Sequence, residues 1–143
     1  MIIGLDSVSY SRMKTHLDEL PNMRNIVEQG CFSLLSSTIP CSSAPAWVSF
    51  ATGVPPEKHG IYGFYSENHN IYNANDVKQD YFWKDIEKKI IMNIPLTYPP
   101  SSDIMISGLV TPIRVSPRKN EYKEMVRPEK LYKLLHKNRY EIT

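Results

Sequence analysis

CFSLLSSTIPCSSAPAWVSFATG, residues 31–53, is the stretch on which the fold turns. Cys31–Ser37 reads as a strand candidate. Pro40 then prevents a central strand from continuing, because proline offers no N–H to a ladder. Ser42 or Ser43 is a good N-cap, and Pro45 suits an early helical position, where a missing N–H costs nothing. Trp47, Val48, Phe50 and Ala51 form a turn and a half of apolar face, closed by Gly53. A serine-rich loop therefore runs directly from a strand into a short helix.

The flanks repeat this alternation. Met1–Leu5 is apolar and β-branched, a short buried strand ending at Asp6. Residues 10–29 are helical with a break at Leu20-Pro21-Asn22; Met23, Ile26 and Val27 fall at core spacing, and Gly30 is the stop. Residues 54–75 read as loop, 80–89 as a short helix, 90–94 as a strand and 104–107 as another. Pro128–Arg139 is an amphipathic helix with Leu131, Leu134 and Leu135 inward. Glu141-Ile142-Thr143 has the character of a strand beginning. Strands alternating with helices predict an α/β sheet.

Composition narrows the class. With 41% hydrophobic and 22% charged residues the chain is globular rather than disordered. A formal charge of +2 gives no reason to expect nucleic acid or an anionic membrane as partner. Residues 114–139 do carry nine basic and three acidic side chains, but without the aromatic platform or groove-reading motif of a nucleic-acid binder. No apolar run approaches the roughly 20 residues of a membrane span, and MIIGLD lacks the basic and apolar regions of a signal peptide. The expectation is a cytoplasmic protein. Cys31 and Cys41 are too few for a disulfide scaffold and lack metal-ligand spacing. Eleven prolines against six glycines point to long shaped loops.

Asp6 and Ser43 are the chemical pair of interest. Each follows a predicted strand, and open α/β sheets place their chemistry at that edge. A serine hydroxyl is a poor nucleophile unless a base or metal activates it. A helix N-terminus behind Ser43 would supply N–H donors and a favourable dipole to a phosphate-like anion, and Asp6 is a hard oxygen donor for a metal. Other readings fail on single positions. A haloacid-dehalogenase phosphatase needs a second Asp where Val8 stands. A dinucleotide fold needs a glycine-rich turn where Asp6-Ser7-Val8 stands, and no Gly-x-Ser-x-Gly elbow exists. Tyr62, Phe64 and Tyr65 are read either as a cleft lining or as local packing under a long loop.

Asp6, the Ser43-x-Pro45 turn and Gly53-x-x-Pro56-x-x-His59-Gly60 occur in order, followed by NIPLTYPP and SGLVTP. This set resembles the N-terminal part of the alkaline phosphatase superfamily, in its type I phosphodiesterase/nucleotide pyrophosphatase branch. The resemblance implies an incomplete three-layer α/β/α sheet, with residues 1–143 as the N-terminal part of a single catalytic domain. It implies hydrolysis of small-molecule phosphate esters through a covalent phosphoserine at Ser43. It implies two divalent metals, usually zinc, with Asp6 and Ser43 among the ligands. Ala44 and Trp47 become candidates to line the substrate, and Pro45, Gly53, His59 and Gly60 structural members of the motif.

Departures qualify this. Ala46 stands where nucleotide pyrophosphatases of the branch carry a phosphoryl-contacting Asn, and Ala46-Trp47 replaces the Ser-Arg of sulfatases. The remaining metal ligands of the family, Asp-x-x-x-His, an Asp-His pair and a further His, have no counterpart here. His16, His59, His69 and His136 are scattered. The alternative is a non-catalytic α/β fragment or binding module that keeps the fold.

Overall fold

A computed structural model of the chain describes residues 1–108 and 121–137. They fall in two compact units, one spanning Met1–Ser37 and the other running from Thr38 onward. The expected strand beginning at Glu141 and residues 114–120 and 138–139 of the basic stretch lie outside the described residues.

The first unit is helical. Ser9 caps α1 (Tyr10–His16), its Oγ accepting from the Arg12 N–H at 3.3 Å. A 3-10 turn, Leu17–Glu19, leads to α2 (Pro21–Gln29), which opens on Pro21 as the break predicts. Gly30 ends α2 in an extended conformation. Met13 is the buried residue of α1, whereas Ile26, expected in the core, is 63% exposed. Two expected strands do not form. Met1–Leu5 and Cys31–Ser37 join no ladder, and their aliphatic side chains, Leu35 at 90% among them, are exposed, while Phe32 is half-buried and stacks on Tyr10 of α1 at 4.6 Å. A buried parallel strand is held by neighbours on both edges; within this unit neither segment has one.

The second unit carries the sheet. Helix α3 (Ser43–Thr52) buries Ala44, Pro45, Val48 and Ala51, a face rotated from the expected one, so that Trp47 is half-buried and Phe50 exposed. Gly53 closes α3 in the left-handed conformation, and α4 (Pro56–His59) follows. Strands β1 (Ile91–Ile94) and β2 (Met105–Ser107) pair in parallel. After α5 (Glu121–Glu124), β3 (Val126–Arg127) pairs antiparallel with β2, in the order β1-β2-β3. Helix α6 (Glu129–Lys137) sets Leu131 and Leu135 against the sheet and leaves Leu134 exposed, against expectation.

Adjacent strand residues point to opposite faces, and here both faces are packed. Met105 joins Ile91, Trp83 and Ala51 of α3 on one side. Ile106 joins Met125, Val126 and the α6 leucines on the other. A third cluster, Ala44, Val48, Ile61 and Leu96, lies under the first turns of α3.

The helix expected over 80–89 does not form. Its rings are claimed elsewhere: Tyr81 stacks on Trp83 at 4.7 Å, and the Phe82 N–H donates to the Ala51 carbonyl at 2.8 Å. The Tyr81 hydroxyl donates to the Leu96 carbonyl at 3.0 Å, and burial pushes its pKa from 10.0 up to about 12. A raised folded-state pKa means that the unfolded chain ionises first. The stability this phenol contributes is complete below pH 10.0 and is lost as pH rises toward about 12. Denaturant midpoints of the native protein should therefore fall faster across that window than those of Tyr81→Phe. Parallel curves would show that the phenol is not the cause.

Candidate active site

Ser43 is the first residue of α3, and the N-cap is Ser42 rather than Ser43. The Ser42 side chain makes no capping bond. The loop before it is held by its own backbone: Ser42 N–H and Thr38 Oγ1 both donate to the Pro40 carbonyl, at 3.1 and 2.9 Å. The first intrahelical bond is Ala46 N–H to the Ser42 carbonyl at 3.2 Å, and Pro45 has no N–H to give. The N–H groups of Ser43 and Ala44 are thus the open donors at the positive end of the helix dipole. The Ser43 side chain is exposed, with no hydrogen bond to any described residue. Ala44 turns its methyl into the core and offers only its backbone to a ligand.

Trp47 and Phe50 lie four and seven positions past Ser43, on the same helix face. Their rings meet edge to face at 5.9 Å, and Phe50 meets Phe82 in the same way, also at 5.9 Å. An aromatic ridge therefore begins one turn beyond Ser43. Phe82 could not be foreseen in it, because the sequence reading placed it in a helix that does not form.

His59 is completely buried behind this helix. Its Nδ1 accepts from the Ile61 N–H at 3.1 Å, so the ring proton sits on Nε2, which donates to Ser49 Oγ at 2.8 Å. A ring with its proton there cannot take one from Ser49, so the pair is no nucleophile–base dyad. Desolvation lowers the His59 pKa from the usual 6.5, against smaller raising effects of the Pro45 carbonyl and Glu57. Gly60 follows at φ +83°, a left-handed turn disfavoured for side-chain-bearing residues. Sequence reasoning placed His59 in the motif but gave no sign of its partner Ser49, ten residues earlier in α3.

Asp6 lies in the first unit, exposed in a turn with Ser7 at φ 60°. Ser43 lies in the second, and the geometry of each belongs to its own unit. His16 and His69 are exposed, His16 within reach of Glu19 at 3.4 Å. Among the described residues no group of three or more His, Cys, Asp or Glu side chains is gathered as a metal site would need. The donor set does not fit the two-zinc centre that the resemblance implies. No described helix is long and apolar enough to cross a membrane.

The family model of type I phosphodiesterase / nucleotide pyrophosphatase matches residues 1–125, which include Asp6, Ser43 and the whole Gly53–Gly60 motif. No curated protein and no solved structure matches the chain. Ordered motif, exposed serine at an open helix N-terminus and family match agree. The chain belongs to the type I phosphodiesterase / nucleotide pyrophosphatase family.

Proposed function

We propose that this chain is the nucleophile-bearing, N-terminal part of a phosphate ester hydrolase, with Ser43 as the residue that attacks phosphorus. The observation that carries this is the exposed Ser43 hydroxyl at the first position of α3, beside two open backbone donors. Those N–H groups suit the non-bridging oxygens of a phosphoryl group, whose negative charge the helix end favours. In the forward step a Ser43 Oγ–P bond forms, the P–O bond to the leaving group breaks, and the hydroxyl proton is carried through water to the leaving oxygen, which departs as the alcohol or phenol. Water then attacks the phosphoserine, releasing the phosphate and restoring the hydroxyl.

Trp47, one turn past Ser43, is assigned to the rest of the substrate. With Phe50 and Phe82 it favours a flat or apolar ester group over a strongly hydrated one. Packing on both faces of the small sheet supports reading it as part of a three-layer α/β/α domain, of which residues 1–143 are the N-terminal portion.

The intermediate is directly testable. The complete gene product, supplied with zinc, is mixed with an aryl phosphate ester and quenched in acid. One phosphoryl adduct per chain is expected on the peptide containing Ser43 by mass spectrometry. Turnover without that adduct, or with an adduct elsewhere, would overturn the assignment.

A further inference from the structure

The contacts of His59 reach toward the nucleophile. The Nε2–H donates to Ser49 Oγ, in the second turn of α3, at 2.8 Å, and the Pro45 carbonyl of the first turn is close enough to raise the ring's pKa. Pro45 is two residues from Ser43. On its other side the ring is fixed by the Ile61 N–H at 3.1 Å, and its own carbonyl accepts from the Lys78 N–H at 3.0 Å. The ring is therefore a strut between α3 and the chain that follows α4, and no part of it is exposed.

We propose that His59 is a positioning residue for Ser43: its neutral Nε2–H tautomer, bonded to Ser49, holds α3 in the pose that presents the serine at its first position. This rests on the reading of Ser43 as nucleophile and adds what keeps it in place. Protonation would put a second hydrogen on Nδ1, against the Ile61 N–H, donor facing donor. The strut then fails from the far side, and α3 loosens as pH falls. Helix α3 brings no ionisable side chain to the ring; α4 brings Glu57 and Lys58, and the segment behind it Lys78 and the half-buried Tyr72. Burial keeps the ring neutral down to a pH below its usual 6.5, and Glu57 opposes this only weakly.

Two substitutions separate positioning from mere loop-making. His59→Asn puts a side-chain oxygen within reach of the N–H two residues on, the usual Asx-turn bond, but is too short to reach α3. Ser49→Ala removes an acceptor from the other side and leaves the buried ring where it is. Amide hydrogen exchange of the full chain, read on Ala46 to Ser49, should quicken roughly fivefold in each variant, the effect of one lost hydrogen bond. The double variant should show no more than either single one, since both cut the same link. The Ile61 amide should stay protected in both. In the native chain α3 exchange should quicken as pH falls through the His59 titration, and this step should be absent in His59→Asn. Unchanged α3 exchange in both variants, additive effects, or a pH step that survives in His59→Asn would overturn the proposal. If His59→Asn does not fold, Ser49→Ala decides alone. Exchange needs no turnover, so these results stand apart from the Ser43 assignment, which falls separately if no Ser43 adduct is trapped.

Discussion

Ser43→Ala should lower phosphate ester turnover by the complete gene product about a thousandfold or more while leaving its unfolding midpoint nearly unchanged. The first half follows from the chemistry: without Oγ no phosphoserine forms, and only the binding of phosphate by the helix end is left. The second half follows from the structure. The Ser43 hydroxyl is exposed and makes no hydrogen bond to a described residue, and alanine at the first position of a helix is well tolerated, so stability should move by no more than about 0.5 kcal/mol. Ser42→Ala is the matched control. Ser42 holds the N-cap position, where a lost side-chain bond commonly costs about 1 kcal/mol. Its Oγ makes no capping bond, so both stability and turnover should be close to native. Steady-state kinetics with an aryl phosphate ester and a thermal melt of the three proteins suffice. Native turnover in Ser43→Ala would remove the serine from the mechanism, whatever the family.

That the helix beginning at Ser43 was legible reflects how local its signals are. Pro45 in the first turn of α3, the left-handed Gly53 at its end, Pro56 opening α4 and the left-handed Gly60 closing it each obey a rule spanning a few residues. Non-local pairings left weaker marks. Met1–Leu5 and Cys31–Ser37 have the β-branched or apolar character of strands, but such a run does not carry its ladder partner with it. Residues 80–89 have the composition of a short helix, yet the Phe82 N–H goes to the Ala51 carbonyl, thirty-one positions back. Tertiary demand for that donor outweighs a weak local propensity. Strand β3 is two residues long and includes Arg127, too short for any periodicity to show. At the site, the motif marks His59, but its bond to Ser49 joins residues ten apart on different helices. Asp6 is marked by following an apolar run and by its place at the head of the ordered motif, neither of which names a spatial partner.

The other large effect expected is on stability, at Gly108, just past β2. An alanine Cβ there would lie 2.6 Å from the Ile94 carbonyl oxygen, 2.7 Å from its carbon and 2.9 Å from the Asn93 carbonyl carbon. All three are backbone atoms, so no side chain can swing aside, and the end of β1 or of β2 must move. That movement would disturb a dense set of bonds. The Gly108 N–H donates to the Ile94 carbonyl at 3.2 Å and to Thr97 Oγ1 at 3.3 Å. Thr97 Oγ1 donates to the same Ile94 carbonyl at 2.6 Å, and Ser107 Oγ to the Thr97 carbonyl at 3.0 Å. Thr97 and Ser107 are fully buried, so bonds broken here are not replaced by water. Gly108→Ala should therefore cost about 3 kcal/mol or more, overpacking and lost hydrogen bonds together. Gly63→Ala, where a Cβ meets nothing within 4 Å, should stay within about 0.5 kcal/mol of native. Denaturant unfolding of the two variants tests the account, and equal stability would refute it. The loss should reach the site as well. Leu96, in the loop this network closes, sits at φ 59°, a conformation that a leucine keeps only when its surroundings impose it. Its side chain packs on Ala44 and Val48 of α3. Displacing the loop withdraws that support from directly beneath Ser43, so turnover by Gly108→Ala should fall even at temperatures where the variant remains folded.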